Sequence, residues 1–221
     1  MADPATHLAS EAETAGDTDV TSRIRDAILQ GEFAPHQRLI EADLSERFLA
    51  SRATVRSALM HLVSEGLVER LPNKGARVRS ISVDEAIEIV EVRVGLESLC
   101  ARKAAERVTD AEADELRQIR DDMTQAVAQG NLLEYSRLNQ LMDARLRQIS
   151  GHATASVLLE RLRAQSARHQ FRLAFHPGRA TESAPEHAAI IDAVIAHDGD
   201  AAEAATRQHL CGIATLLRAM T

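Results

Sequence analysis

Aromatic side chains are scarce in this 221-residue chain: tryptophan is absent, tyrosine occurs once, and aromatic residues make up 2% of the total. No apolar run approaches the roughly 18 residues that a membrane-spanning helix needs. The N-terminus is acidic and carries no basic, apolar export signal. We therefore expect a cytoplasmic protein with no membrane partner.

Cysteine is also rare. Cys100 and Cys211 are the two cysteines, and no C-x-x-C spacing indicates a metal or redox motif. Both lie within helical patterns, so we predict two buried free thiols rather than a disulfide.

A cationic excess is confined to one part of the chain. The net charge is −7, which by itself argues against a nucleic-acid partner. Residues 1–18 contain four acidic residues and no Lys or Arg, and residues 81–221 contain sixteen Lys and Arg against twenty-one Asp and Glu. Residues 19–80 contain ten against eight. If the chain binds DNA, this middle segment must supply the phosphate contacts.

The same segment has the pattern of a helix-turn-helix. Ser51 suits a helix N-cap, and Arg52 and Arg56 lie four residues apart on one face of the helix that follows. An apolar stripe on another face is formed by Val55, Leu59, Leu62 and Val63. A short, polar, cationic face of this kind is typical of a helix that lies in a major groove.

Two shorter helices are predicted before this one, over Val20–Gln30 and from Glu41 to about Leu49. After Gly66, basic residues are spread over two predicted strands that are joined by a Pro-Asn-Lys-Gly turn. The pattern predicts a winged helix-turn-helix. The alternative is a small helical subdomain whose arginines are solvated surface charges.

The chain after Ser82 is predicted to form consecutive helices. A short polar residue followed three positions later by Glu can form a capping box, in which each side chain satisfies the other residue's backbone N–H. This pattern begins at Ser82, Thr109, Asn131, Ser183 and Asp200. We predict helices near 83–107, 110–129, 132–150, 153–173, 184–197 and 201–219, with a loop over 175–183.

The predicted fold is therefore mainly α. We expect a disordered tail over 1–18 and a winged helix-turn-helix domain, with three helices and a β-hairpin wing, over 19–80. An all-α bundle of six or seven helices is expected over 81–221.

Several short motifs follow one another in residues 19–80. They are Ile24-x3-Ile28-x2-Gly31, Arg38-Leu39, Leu44-Ser45-Glu46, Ser51-Arg52-Ala53-Thr54-Val55-Arg56-Ser57-Ala58-Leu59, Glu65-Gly66-Leu67-Val68 and Gly75-Ala76-x-Val78. In this order they resemble the DNA-binding domain of the GntR family of bacterial transcription regulators, with departures at His36, Ala53 and Ser57. The resemblance implies DNA contacts at Arg38, Ser51, Arg52, Thr54 and Arg56, and at Lys74 and Gly75 in the wing tip. Arg52 and Arg56 are the expected guanine readers, because a guanidinium pairs with O6 and N7 through two hydrogen bonds.

A few polar residues of the helical half could carry chemistry. Asn139 and Asp143 lie four residues apart and so project from one face of a predicted helix, and His187 and His209 follow in the last two helices. From the residues alone, such histidines are more often surface or hydrogen-bonded core residues than metal ligands. Arg93 lies four residues before a glutamate, the spacing of an ordinary ion pair along a helix.

The motifs around these residues are Glu91-Val-Arg93-x3-Glu97, Leu138-Asn139-x2-Met142-Asp143, Ser150-Gly151-His152, Glu186-His187-x2-Ile190-Ile191-x-Ala193, and Gly199-Asp200 followed by His209. They resemble the all-helical ligand-binding FCD domain of the FadR-type branch of the same family. That resemblance implies a divalent metal, commonly zinc, nickel or manganese. The second ligand position holds Asp143 instead of the usual His. Asp143, His187 and His209 would then form a two-histidine, one-carboxylate set, with Asn139 as a weak fourth ligand. A site that has lost the ion and binds its ligand through hydrogen bonds alone is also tenable.

The resemblance further places Arg93, with Asn139, next to the carboxylate of an organic-acid effector. Together these features predict a ligand-responsive transcription regulator, in this family most often a repressor. It would bind a palindromic double-stranded operator as a homodimer and respond to a small organic acid. The alternative is a DNA-binding protein whose helical half only dimerises or senses metal alone. An enzyme is not expected, because no separate general base lies at a diagnostic spacing beside the histidines.

Overall fold

The computed structural model describes residues 19–71 and 75–220. The predicted disordered tail over 1–18 and the predicted DNA contact at Lys74 lie outside the described residues. The chain divides into two compact units between Ile81 and Ser82. This division does not test the predicted roles of the two parts, DNA binding for the first and effector binding with dimerisation for the second, and both roles stay predictions.

Over residues 19–71 and 75–81, the first unit combines three helices with a small antiparallel sheet. Helix α1 covers residues 19–29. The remaining elements are β1 (Arg38–Leu39), α2 (Glu41–Phe48), α3 (Arg52–Ser64), β2 (Val68–Leu71) and β3 (Gly75–Val78). The strand order is β1-β3-β2, with Leu39 opposite Ala76 and Val68 opposite Val78.

The sequence did not predict β1. Two residues are too few to show the alternation by which a strand is recognised. The strand exists because Leu39 pairs with Ala76, far along the chain. This pairing adds a third strand to the predicted hairpin.

Helix α3 begins as its cap predicts, with the backbone N–H of Thr54 donating to Oγ of Ser51 at 3.1 Å. Its buried side chains are Val55, Ala58, Leu59 and Leu62. These positions recur every three or four residues, so they share one face and turn the opposite face to solvent.

Over residues 82–220 the second unit is a bundle of six helices. They are α4 (Val83–Arg107), α5 (Asp110–Ala128), α6 (Leu132–Ser150), α7 (Ala153–Ala174), α8 (Arg179–Ile195) and α9 (Gly199–Ala219). Helix α4 packs extensively against α9 and also contacts α6 and α7. Three buried alanines in α4, Ala101, Ala104 and Ala105, belong to the main core with Leu116 and Met142. The predicted fold class, a winged helix-turn-helix followed by an all-α bundle, is confirmed.

Three of the five predicted helix starts are correct. The side chains of Ser82, Thr109 and Asn131 each accept the N–H of the residue three positions on, and Thr109 forms a complete capping box. The prediction at Ser183 is wrong, because α8 begins at Arg179 after Gly178 and runs through Pro185. Part of the predicted loop over 175–183 is therefore helix.

The predicted start at Asp200 is wrong by two residues. The side chain of Asp198 accepts the N–H of Ala201 and caps α9 instead. Two acidic residues with similar spacing compete there, and the backbone geometry decides between them.

Both cysteines are free, as expected. Cys100 is buried, but Cys211 is exposed, so its predicted burial is wrong. Within residues 19–71 and 75–220, no helix is long and apolar enough to cross a membrane.

Candidate functional site

The first candidate surface is the solvent-facing side of α3. Arg52 and Arg56 are exposed there, and Ser51 caps the helix beside them. Thr54 is half-buried, and its hydroxyl lies 3.0 Å from that of Ser51. The predicted DNA contacts of this helix thus lie together at its N-terminal end.

Two further predicted contacts belong to the sheet. Arg38 is exposed at the start of β1, directly opposite Arg77 of β3. Gly75 begins β3 with a φ of +83°, a conformation that L side chains rarely adopt. Glycine therefore suits this position even without any contact to DNA.

One acidic residue engages the recognition arginine. Glu41, in the first turn of α2, accepts two hydrogen bonds from Arg56, from Nε at 3.0 Å and from Nη2 at 2.7 Å. The hydrogen bond from Arg56 holds the pKa of Glu41 below its usual value. A guanidinium that pairs with guanine uses the same two-pronged edge, so the carboxylate occupies the donors that the predicted base contact would need.

The second candidate site is a small cavity inside the helical unit, about 80 Å³ in volume. Side chains from α4, α6, α7, α8 and α9 line it. All five residues predicted to bind an effector or metal lie in its lining: Arg93, Asn139, Asp143, His187 and His209. The fold brings these residues together from four different helices.

The two histidines contact each other in the lining of this cavity. Their Nε2 atoms are 3.2 Å apart, and both rings are buried. Nδ1 of His209 lies 2.7 Å from Oε2 of Glu186, and Nδ1 of His187 lies 3.0 Å from the hydroxyl of Tyr135. That hydroxyl is 2.5 Å from Oγ of Ser183.

One placement of protons satisfies this whole chain of contacts. His209 donates from Nδ1 to Glu186, and its Nε2 accepts from Nε2–H of His187. Nδ1 of His187 then accepts from Tyr135. These tautomers follow from the hydrogen-bond network rather than from visible hydrogens. In this placement each ring nitrogen of the pair has a hydrogen-bond partner.

The pKa values of these groups are set by burial and by their polar and charged neighbours. Burial, with a smaller contribution from His209, lowers the pKa of His187 to about 3. Burial would raise the pKa of Glu186, but hydrogen bonds and charge from His209 and Arg179 outweigh it and lower the pKa to about 2. Burial raises the pKa of Tyr135 to about 12. At neutral pH His187 in the cavity lining is therefore neutral, and Glu186 behind His209 is ionised.

A set of ion pairs lines the other side of the cavity. Arg163 of α7 hydrogen-bonds to Asp143 through Nη2, and its Nη1 lies 3.5 Å from Oε1 of Glu97. The same glutamate oxygen accepts from Nε of Arg93 at 2.8 Å. Burial disfavours ionisation of Asp143, but the positive charges of Arg163 and Arg93 favour it, and the pKa of Asp143 is lowered.

The predicted metal set fits this geometry only in part. Two nitrogens bound to one tetrahedral zinc at 2.0–2.1 Å would be about 3.3 Å apart, close to the separation of the histidine Nε2 atoms. The third predicted ligand, Asp143, is instead bonded to Arg163. Over residues 19–71 and 75–220, no group of three or more His, Cys, Asp or Glu side chains is placed to hold a metal.

Comparison with known proteins agrees with both halves of the fold. Residues 17–78 match the family described as bacterial regulatory proteins, gntR family, and residues 88–211 match the FCD domain. The chain belongs to the GntR family. Its helical half is an FCD domain, so the resemblance found in the sequence is confirmed.

Known relatives of this GntR-family chain are transcription regulators. It is 29% identical over 195 residues to the HTH-type transcriptional repressor RspR of Escherichia coli K12. The matched region covers 88% of this chain and 86% of RspR. It is 28% identical over 195 residues to the repressor GlaR of the same organism, covering 85% and 89%. The structure of E. coli McbR/YncC has the same fold, with a TM-score of 0.78 at 21% identity, over 93% of this chain and 98% of that one. The chain is accordingly a DNA-binding transcription regulator and not an enzyme.

Three residues of these sites were missed by the sequence reasoning. Glu41, Arg163 and Tyr135 act through contacts between elements that the sequence does not place together. Arg163 had one detectable signal, because it lies four residues after the buried Leu159 and three before the buried Ser166. An arginine on the inward face of a helix indicates a buried charge partner.

Proposed function

We propose that this GntR-family regulator is a cytoplasmic repressor that binds a palindromic operator as a homodimer and responds to a small organic acid. The repressor role is supported by the relatives RspR and GlaR, which are both described as repressors. The observation that carries the DNA-binding part is the exposed cationic face of α3, with Arg52 and Arg56 beside the capped N-terminus.

In this proposal α3 enters the major groove. Arg52 and Arg56 read guanines, while Ser51 and Thr54 at the helix start contact phosphate. Arg38, Lys74 and Gly75 make the remaining contacts, with the wing tip at the minor groove. A two-fold arrangement of two such helices requires half-sites about one helical turn apart.

Arg56 must exchange one partner for another when it binds DNA. Its side chain is 67% exposed and that of Glu41 is 36% exposed. An exposed pair of this kind contributes about 0–1 kcal/mol, whereas a good two-pronged contact to the correct base is worth about 1–3 kcal/mol. Guanine can therefore displace the carboxylate, and Glu41 weakens binding wherever no guanine is offered.

The effector would bind in the helical cavity, where it would accept hydrogen bonds from donors that have no acceptor within the described part of the protein. Within residues 75–220, Arg93 forms a hydrogen bond through Nε alone, to Glu97, although the residue is 4% exposed. The side chain of Asn139 forms no hydrogen bond to another described residue. A carboxylate seated against the two terminal nitrogens of Arg93 would satisfy them in the geometry that guanidinium groups prefer.

Binding in the cavity can change operator affinity only if the effector binds the DNA-competent arrangement with a different affinity. The cavity is suited to this because five helices contribute to its wall. A ligand there contacts several elements at once, so small shifts of the helices alter its binding.

A second candidate is an effector that binds through zinc, nickel or manganese, held by His187, His209, Asp143 and Asn139. The observation that favours it is the 3.2 Å separation of the histidine Nε2 atoms. Its requirement is a carboxylate free to bind the ion, and Asp143 would have to leave Arg163. A helical unit that only dimerises remains the alternative to both.

The test is operator binding by the full-length protein, with and without a panel of small organic acids. Replacing Arg52 or Arg56 by Ala should weaken specific binding by about 1–3 kcal/mol each, while Arg117→Ala on the exposed face of α5 should have no effect. Unchanged affinity in both recognition-helix variants would overturn the assignment of α3.

Calorimetric titration with the same acids should give saturable binding that Arg93→Ala weakens. The absence of saturable heat with any of them would favour the dimerisation-only alternative.

A further inference from the structure

We propose that Arg163 is the resident cation of the helical cavity. Its guanidinium takes the carboxylate of Asp143, which would otherwise complete a metal site with His187 and His209, so the cavity binds its anionic effector without a metal. The part of this inference that concerns the effector rests on the proposed function. The part that concerns the metal does not.

The first step is the contact itself. Nη2 of Arg163 donates to a carboxylate oxygen of Asp143, and Nη1 of the same guanidinium lies 3.5 Å from Glu97. Asp143 belongs to α6, Glu97 to α4 and Arg163 to α7. The guanidinium therefore links three helices at the cavity wall.

The second step is burial. The side chains of Arg163, Asp143 and Glu97 are 14%, 16% and 11% exposed. Water and salt screen such a pair far less than a surface pair. A guanidinium is permanently charged, so Asp143 has a cationic partner at every pH at which its carboxylate is ionised.

The third step is competition for one carboxylate. A divalent ion at the histidine pair would need an oxygen of Asp143 as its third ligand, because Glu186 is already engaged by His209 and Arg179. The ion would then lie next to a buried guanidinium, and both cations would need the same oxygens. The Nε2 atoms of His187 and His209 are correctly spaced for a metal ion, but the carboxylate of Asp143 is already bound to Arg163.

The fourth step concerns the ligand. Nη1 of Arg163 is buried and forms no hydrogen bond in the described part of the chain, although Oε1 of Glu97 lies 3.5 Å away. An unsatisfied buried donor is costly, and this one belongs to a residue that lines the cavity. Arg93 offers two terminal nitrogens in the same lining. A small carboxylate between these two guanidinium groups would supply the missing acceptors. The two guanidinium groups would thereby bind the anion, as a metal ion would otherwise do.

The experiment is a gain of metal binding. Full-length protein is stripped with a chelator and titrated with Zn²⁺ and, separately, Mn²⁺, with elemental analysis of the same samples. The parent protein should show no saturable site that depends on Asp143. Arg163→Met should bind about one Zn²⁺ per chain, at least tenfold more tightly than the parent, and the ion should raise its melting temperature.

Three variants make the result specific. Arg163→Lys keeps a cation beside Asp143 and should stay without metal. Arg161→Met makes the same chemical change at an exposed position of α7 and should behave like the parent. Adding His209→Ala to Arg163→Met should abolish the gained site, because it removes one of the two nitrogens.

Two results would overturn the inference. One is a parent protein that purifies with about one metal per chain and loses it on Asp143→Asn. The other is a folded Arg163→Met variant that gains no metal. If Arg163→Met does not fold, Asp143→His tests the same claim, because it removes the carboxylate that Arg163 binds and adds a third nitrogen. A gain of metal binding in this variant supports the inference, and no gain contradicts it. Operator binding by the parent is measured in parallel, so a failure of the proposed function is seen independently of the metal result.

Discussion

The recognition helix and the helical cavity each contain an arginine held by a carboxylate of another helix, but the two pairs lie in opposite environments. The Arg56–Glu41 pair is 67% and 36% exposed, and the Arg163–Asp143 pair is 14% and 16% exposed. Water screens the first pair and makes it exchangeable. The second pair is desolvated, so neither partner can leave without stranding the other's charge. The same chemistry thus serves as a replaceable contact in one unit and as a fixed cation in the other.

The largest expected effect comes from breaking the buried pair. Asp143→Ala leaves the Arg163 charge without its main partner and should lower the free energy of unfolding by about 3–5 kcal/mol. The double variant Asp143→Leu/Arg163→Met should lose clearly less than the sum of the two single changes, because no uncompensated charge remains. Urea unfolding of all three variants measures this coupling. Additive losses would show that the pair contributes nothing as a pair.

The cavity histidine should make stability depend on pH. His187 has a pKa of about 3 in the folded protein against an ordinary 6.5, so below pH 6.5 the unfolded chain takes up a proton that the folded chain refuses. The stability contributed by the neutral ring is complete above pH 6.5 and is lost as the pH falls toward 3. The expected slope is up to about 1.4 kcal/mol per pH unit.

Urea unfolding in chelator at pH 7, 6 and 5 measures this slope. All three pH values lie above the range in which Glu186 changes its protonation. The stabilising effect of Glu186 is lost only between its ordinary pKa of 4.5 and its folded pKa of about 2. His187→Gln should flatten the curve. An equal slope in parent and variant would assign the pH dependence to other groups.

The smallest expected effect concerns the exposed pair. Glu41→Gln removes the carboxylate that competes for Arg56 and should strengthen operator binding by up to about 1 kcal/mol, the upper range for a surface pair. Asp43→Asn is the matched control, because it removes one exposed charge from the same helix. Fluorescence anisotropy with labelled operator compares the two. If both variants bind equally well, the gain is a general charge effect and not release of Arg56.

Local signals explain what was predictable in the fold. The caps at Ser82, Thr109 and Asn131 were correct because each depends on a side chain and a backbone N–H three residues away. The prediction at Ser183 failed because the helix around it starts earlier, and its hydroxyl instead contacts Tyr135 of another helix.

The candidate sites divide in the same way. The two arginines on the exposed face of α3 followed from helical spacing alone. The residues at the cavity were chosen through the resemblance, and the structure places all of them in one lining. Their roles stay predictions. The partner of Asp143 could not be predicted, because Arg163 is one of many arginines and lies 20 residues away on another helix.

The order of the helices, the α-rich class, the family and the cationic face of α3 could be read from the sequence, because periodicity, capping and motif spacing are properties of neighbouring residues. Only the tertiary structure decided which charges meet. It set Glu41 against Arg56 and Arg163 against Asp143, and it joined the two histidines through their Nε2 atoms. The physical reason is that electrostatic pairing depends on distance and burial, and both are set by how helices pack rather than by how residues follow one another.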